Sequence, residues 1–264
     1  MKGNILINTA VKNSNRHKSQ EKILKTKYLF LNLLRMFKPS LILDVGSMDG
    51  SDSIRFHYMS RLSRIIAFEA NPYNYEKMHN NPHLAKLGIE VRNRMVSCKA
   101  EKATFYISKG AVAGKISGNM GTSSSIKPVN AEDVAEEIEV GTTRLDDVIL
   151  ELTKPSDWVA LWIDVEGAAY EVLSSVAAAK QQVAFLHIEV ELAEVWTGQK
   201  LKDEVVALAN ELGFVLLARS DNDMQQDLVM INSKLLQDRA GTVNLAMMLT
   251  KWIGPASSRL LEKI

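Results

Sequence analysis

The chain has 264 residues, 46% of them hydrophobic, and its 32 Lys and Arg stand against 31 Asp and Glu for a formal charge of +1. That length and apolar content suit one large α/β domain or one domain with additions, and the near-neutral balance excludes the global field that draws in nucleic acid. Cys98 stands alone, which rules out an intramolecular disulfide and fits a reducing cytoplasm, and no apolar stretch approaches the ~18 residues of a membrane span.

Residues 1 to 17 are polar and basic without a period. Ser19 to Phe37 then places Ile23, Leu24, Tyr28, Leu31 and Leu34 on one helical face, ended by Pro39. This helix is expected to cover one edge of a sheet. Lys18, Lys22, Lys25 and Lys27 against Glu21 read as its solvated flank. Leu41 to Val45 predicts the first strand, a helix runs from Ser51 to Leu62 on Ile54, Tyr58 and Leu62, and Ile65 to Phe68 predicts the second strand. Together they make a βαβ unit. Asn71-Pro72 starts a helix bearing Tyr75 and Met78, and Ile89 to Val96 predicts a third strand ending at Ser97.

Between Ala100 and Arg144 the pattern changes. Ala103 to Ser108 and Ile138 to Thr143 are strand-like, and a Gly- and Ser-rich link from Gly110 to Ser125 joins them, which together predict an insertion over the site. Trp158 to Val165 and Val183 to Val190 are continuously apolar, as strands covered on both faces must be, with a helix from Ala168 to Ala179 between them. A helix from Lys200 to Leu212 stops at Gly213, Phe214 to Ala218 and Leu228 to Ile231 predict a closing antiparallel pair, and residues 233 to 264 read as a helical tail.

The chemistry gathers where strands end. Asp44-Val45-Gly46-Ser47-Met48-Asp49-Gly50-Ser51 leaves the first strand, and Glu69-Ala70-Asn71 leaves the second. Open α/β sheets bind ligands at that edge. In a dinucleotide fingerprint the middle glycine lets the backbone approach a pyrophosphate, but Met48 holds that position here, and Asp44, Asp49 and Asp52 would repel phosphate. S-adenosylmethionine has no phosphate and carries a positive sulfonium, so the acidic loop favours it, with Glu69 accepting from both ribose hydroxyls. Val96 and Ser97, ending the third strand, are placed near adenine. Asp164 and Glu166 leave the next strand onto the same edge, with Gly167 allowing a tight exit. His187, Glu189 and Glu191 alternate onto one face of the strand after it. Methyl transfer to a hydroxyl needs a base or an acidifying metal, so Asp164, Glu166 and His187 are the catalytic candidates. Asp164, Glu189 and Glu191 offer hard oxygen ligands for a divalent metal such as Mg²⁺.

Four pieces resemble the FkbM family of S-adenosylmethionine-dependent methyltransferases over roughly residues 40 to 232: Leu43-Asp44-Val45-Gly46 with Gly50; Ala67-Phe68-Glu69-Ala70-Asn71-Pro72; Thr143-Arg144-Leu145-Asp146-Asp147; and Ile163-Asp164-Val165-Glu166-Gly167-Ala168 followed by Glu171-Val172-Leu173. The third piece before the fourth carries the likeness to this family in particular; the first two fit almost any class I methyltransferase. The resemblance implies a Rossmann-like, doubly wound and mostly parallel seven-stranded α/β sheet with helices on both faces, cofactor contacts around Asp44, Gly46, Glu69 and Asp164, and O-methylation of a sugar or natural-product hydroxyl. Ala169 departs from it, since many members carry an acid there. The expected organisation is a basic extension and cover helix over 1–38, a methyltransferase domain over 39–232 and the tail over 233–264. Two other readings stay open: a cofactor-binding but non-catalytic interaction module working through the basic N-terminal helix, and a nicotinamide-dependent oxidoreductase.

Overall fold

Strands buried on both faces become mostly apolar, and Leu41–Val45 (β1), Val159–Ile163 (β9) and Val183–Glu191 (β10) are buried throughout, with Asp44, His187, Glu189 and Glu191 as the polar residues they keep. The computed structural model describes residues 26–98, 101–108, 111–112, 115–116, 123–220 and 222–237. The extension before residue 26, with Ile23, Leu24, Lys18, Lys22 and Lys25, lies outside them, as do most of the Gly110–Ser125 link and the tail after Gln237 with Trp252.

β1, β9 and β10 join Arg64–Phe68 (β2), Glu90–Arg92 (β3), Phe214–Arg219 (β11) and Gln225–Asn232 (β12) in a seven-stranded sheet of order β11-β12-β10-β9-β1-β2-β3. The pairs β1–β2, β1–β9, β9–β10 and β2–β3 are parallel, and β12 runs antiparallel to both of its neighbours. The closing antiparallel pair is therefore present. From β1 the chain fills one half of the sheet through β2 and β3, then returns to fill the other through β9 and β10. This topological switch opens a crevice beyond the carboxyl ends of β1 and β9.

Leu145–Leu152 (α5), Ala169–Ser174 (α6) and Lys202–Glu211 (α7) cover one face. The other is covered by α1 over residues 26–37, Ser51–Met59 (α2), Pro72–His79 (α3) and Pro82–Lys86 (α4). The cover helix corrects the expectation that it guards a sheet edge. Leu31 and Leu34 of the expected stripe are buried, but so are Leu29, Phe30 and Leu33, while Tyr28 is 52% exposed, so the buried face is broader than expected and turned toward Phe30. Phe30 meets Phe56, Trp162 and Phe185 edge-on at 5.4, 5.2 and 5.4 Å, which seats α1 across the middle of the sheet. Removing so central a ring leaves a cavity that its neighbours cannot fill, and Phe30→Ala is expected to cost about 3 kcal/mol in urea unfolding. A loss below about 1 kcal/mol would mean that α1 is an appendage.

Three further elements differ from expectation. α2 ends at Met59 and buries Ser53 and Phe56, whereas Tyr58 is 50% and Leu62 94% exposed; the face follows Phe56 beneath Trp162, not the Ile54-Tyr58-Leu62 row. The third strand breaks in two, because the Asn93 side-chain amide donates to the carbonyls of Glu69 at 2.8 Å and Ala70 at 3.2 Å and turns the chain. β3 stays in the main sheet, and Met95–Val96 (β4) joins Lys102–Ser108 (β5) and Val134–Thr143 (β8) in a separate sheet of order β4-β8-β5, with Ala111–Val112 (β6) and Lys115–Ile116 (β7) an antiparallel pair between β5 and β8 in the chain. Its apolar cluster of Met95, Phe105, Ile107 and Val140 sits against Ala70, so the insertion leans on the cofactor edge. Helix α5 was not foreseen. Within the Thr-Arg-Leu-Asp-Asp piece, Arg144 grips Asp146 through Nε at 2.9 Å and Nη2 at 2.7 Å and reaches the Cys98 carbonyl, while Asp146 accepts from Ala178 N at 3.3 Å. Burial acts to raise the Asp146 carboxyl, but the guanidinium fork outweighs it and holds the group below its ordinary value. That piece is a clasp binding the insertion's return to the main sheet. Among the described residues no helix is long and apolar enough to cross a membrane.

Candidate active site

At the end of β1 the backbone N–H groups of Gly46 and Ser47 both donate to the Phe68 carbonyl, at 3.0 and 3.1 Å, drawing the loop over β2. Asp44 is fully buried, and its Oδ2 accepts from Ser47 Oγ at 2.7 Å and Ser53 Oγ at 2.5 Å, so it braces the loop against the first turn of α2. Burial pushes its carboxyl up to about 7, against the opposing pull of the two hydroxyls. Lys27 on α1 pairs with Asp52 of that same turn and lies 5.5 Å over the Trp162 ring, tying the cover helix to the loop. Met48 has a left-handed φ of 56°, a strained state for a residue with a side chain, and in it the Met48 N–H donates to Glu69 Oε2 at 2.7 Å. Asn71 N donates to the other oxygen at 2.8 Å. Glu69 is thus held from both sides, with its carboxyl pushed up to about 7 by burial despite these donors.

Glu69 faces an open cleft of about 790 Å³, mouth included, over the switch point. Of the sequence candidates, Gly46, Met48, Glu69, Ala70, Val96, Asp164 and Glu166 line it. Asp44, Ser47, Asp49, Gly50, Ser51, Asn71 and Ser97 do not; Asp44, Ser47 and Asn71 hold the walls from behind. Several lining residues were missed. Asn74 stands one turn into α3, its register fixed by the Asn71-Pro72 start, in which Asn71 Oδ1 accepts from Tyr73 N at 3.0 Å. Arg94 follows the break between β3 and β4, and Gly141 of β8 leaves room for its guanidinium, since a Cβ there would lie 3.0 Å from Nη1. Phe105 and Ser123 to Ser125 come from the insertion, where Ser124 pairs with the Tyr106 backbone and its hydroxyl donates to the Glu166 carbonyl. The insertion forms part of the cleft wall. The Gly- and Ser-rich link that ends at Ser125 is the sequence signal for the insertion's share of the wall, whereas Asn74 and Arg94 carry none.

The geometry corrects the placement of His187. It is 2% exposed on the face covered by α1, stacked on Trp162 at 3.6 Å and 7°, and does not line the cleft. Burial, with the charge of Lys27, pushes its pKa down to about 3, so the ring is neutral and its 3.8 Å approach to Asp227 is no ion pair. Buried in an aromatic stack, it has no route to an acceptor in the cleft. The metal expectation shifts as well: oxygens of Glu166, Glu189 and Glu191 come within 4.8 Å of one another, with Asp164 outside the group. The Gly167 N–H donates to Glu191 Oε1 at 2.9 Å, and Gln225 donates to Glu189 Oε2. These acids could hold a hard divalent cation, though such clusters also occur without one and this one assigns none.

The donor set fits S-adenosylmethionine. Glu69, Asp164 and Glu166 surround the cleft with acidic groups that suit a sulfonium and hydroxyl donors, and the Met48 side chain, 38% exposed, stands where a pyrophosphate would need bare backbone. A model of the methyltransferase FkbM domain matches residues 44–216. The chain is 25% identical over 218 residues to the 2-O-methyltransferase NoeI of Sinorhizobium fredii, covering 80% of this chain and 87% of that protein. It is 25% identical over 187 residues to the hexuronic acid methyltransferase AglP of Haloferax volcanii, covering 68% and 70%. Among solved structures, the N-terminal domain of EvdMO1, crystallised in the presence of SAH and D-fucose, aligns with a TM-score of 0.42 at 10% identity over 79% of this chain and 82% of that one. With two thirds of its length matched by the family model and the switch-point cleft built from those same residues, the chain belongs to the FkbM family of methyltransferases.

Proposed function

We propose that this protein transfers a methyl group from S-adenosylmethionine to a hydroxyl of a sugar or a natural-product small molecule, with residues 39–232 as the catalytic domain. The observation that carries the reading is Glu69: a buried carboxylate at the end of β2, held by the Met48 and Asn71 N–H groups and facing an acid-lined cleft at the switch point. S-adenosylmethionine, when bound, supplies an electrophilic methyl on a positive sulfur. Glu69 binds the ribose, and the Gly46 to Met48 backbone shapes the methionine end. Asp164 and Glu166 orient the acceptor hydroxyl, and Asp164, the more exposed of the two, takes its proton. The two relatives named as a 2-O-methyltransferase and a hexuronic acid methyltransferase support a sugar acceptor. The free thiol of Cys98 supports a cytoplasmic setting.

The test is calorimetric titration of wild type and Glu69→Ala with S-adenosylhomocysteine and with NADH, followed by labelled methyl transfer to a panel of sugars and glycans. Micromolar binding of S-adenosylhomocysteine, weakened about 100-fold in Glu69→Ala by loss of charge-assisted hydrogen bonds, is expected. Preference for NADH would overturn the reading. Cofactor binding with no transfer to any hydroxyl would point to the non-catalytic module.

A further inference from the structure

The net charge of +1 hides an uneven distribution. From Thr26 to Leu43 and again from Ser53 to Phe68, the stretches that hold α1 and α2, there is no acidic residue, while Lys27, Arg35, Lys38, Arg55, Arg61 and Arg64 are cationic. Lys27 and Arg55 share Asp52, and Arg64 meets Glu90. Arg35, Lys38 and Arg61 are exposed and make no ion pair among the described residues. The helices on the opposite face of the sheet carry Asp147 and Glu151 on α5, Glu171 on α6, and Asp203, Glu204 and Glu211 on α7, against Lys202. The sheet thus separates a basic helical face from an acidic one, and such a charge separation orients a molecule near a charged surface.

The basic face is also apolar where a core does not need it. Tyr58 and Leu62, which at helical spacing read as core, are 50% and 94% exposed, and Met59 beside them is 39% exposed, because Phe56 takes the inward position. Leu62 rides on a firmly built turn. Ser63 N donates to the Ser60 carbonyl at 3.1 Å, the two buried serine hydroxyls meet at 2.7 Å, and Ser63 Oγ donates to the Pro39 carbonyl. The turn is thereby fastened to the end of α1, next to Lys38. A leucine this exposed protrudes, and it can enter a fluid surface without a matching pocket, whereas a protein partner would have to supply one. Leucine and methionine suit the acyl boundary, a tyrosine ring suits the headgroup level, and unpaired Arg and Lys suit anionic headgroups.

We propose that the α1 and α2 face docks the protein on a bilayer surface rich in anionic lipid, with Leu62 and Met59 entering the interface and Arg35, Lys38 and Arg61 meeting the headgroups. The Ser60–Ser63 turn lies at the amino ends of β1 and β2, and the cleft lies beyond the carboxyl ends of β1 and β9. Docking therefore leaves the cleft open, separated from the turn by the length of β1, about 17 Å.

The experiment sediments the full chain with vesicles of phosphatidylcholine alone and of phosphatidylcholine mixed with an equal amount of phosphatidylglycerol. The mixed vesicles are expected to carry the protein down at about 0.1 M salt and to release most of it at about 1 M, where charges are screened within about 3 Å; the neutral vesicles are expected to leave it in solution. Leu62→Ser is expected to weaken binding about 10-fold. The double variant Lys38→Glu, Arg61→Glu is expected to weaken it about 100-fold. Lys202→Glu, on the acidic face, is expected to bind like wild type, and all these variants, altered outside the core, are expected to keep the wild-type urea midpoint. Equal sedimentation with neutral vesicles, or none with either kind, would overturn the proposal. So would binding that survives the Leu62, Lys38 and Arg61 changes, which the basic residues before Thr26 would then supply. Capture of polyglutamate by the same face with no binding to vesicles would assign it to an acidic protein instead.

Discussion

Gly46→Ala is expected to destabilise the protein by about 4 kcal/mol or more and to abolish measurable binding of S-adenosylhomocysteine. Two separate effects combine. The φ of Gly46 is +83°, a left-handed backbone that costs an alanine about 1–2 kcal/mol. A Cβ at this position would also lie 2.0 Å from the Asp164 carbonyl oxygen and 2.9 Å from its carbon. Both are backbone atoms and cannot rotate away. Asp164 N donates to the Val45 carbonyl at 2.9 Å, and Val45 pairs with Ile163, so relief requires parting the ends of β1 and β9 at the switch point. That parting would move the two strands that carry the cleft. Gly88→Ala supplies the control, since Gly88 has a similar φ of +69° but nothing within 4 Å of the added Cβ. It is expected to cost only the backbone component, about 1 kcal/mol. Equal losses for the two variants would show that the β1–β9 approach is slack.

What the sequence discloses and what it hides follow from one distinction. Strands covered on both faces and loops that must turn sharply announce themselves, because burial removes polar residues and positive φ selects glycine; β1, β9, β10, Gly46 and Gly167 are legible for that reason. Which way an amphipathic helix faces is decided by partners far away in sequence. The α1 stripe turns because Phe30 is taken up by Trp162 and Phe185, and the α2 face turns because Phe56 is. The same holds for chemistry. His187 lies on a strand rich in acids and reads as a base, yet alternation turns it toward the α1 face, where Trp162 stacks on it. Asn74 and Arg94 carry no motif, and only the fold of α3 over Glu69 and the break at Asn93 bring them to the cleft.

Asp44→Asn is expected to be close to wild type in stability near pH 4 and more stable by up to about 4 kcal/mol near pH 8. Asp44 titrates at about 7 in the folded protein, against 3.8 as its ordinary value, mainly because burial disfavours the charged form. Between those values the folded state binds more protons than the unfolded state, so this group's contribution to stability falls as pH rises and levels off above about 7. Asparagine cannot ionise and is spared the fall; its carbonyl can take the place of Oδ2, which accepts from Ser47 and Ser53. The wild-type profile alone would obscure this. His187, held down at about 3 against 6.5, is neutral when folded and protonated when unfolded, so its contribution rises with pH over the window in which that of Asp44 falls. Glu69, also raised to about 7, adds to the fall. Subtracting the urea-derived stability of wild type from that of Asp44→Asn at each pH cancels His187, and it cancels Glu69 apart from the repulsion by Asp44, which the variant also removes and which adds to the difference in the same direction. A difference that grows from pH 4 to pH 7 and then stays constant is the expected result. A difference independent of pH would mean that Asp44 ionises near its ordinary value, so that the Ser47 and Ser53 hydroxyls fully offset its burial and the loop brace carries a charge throughout.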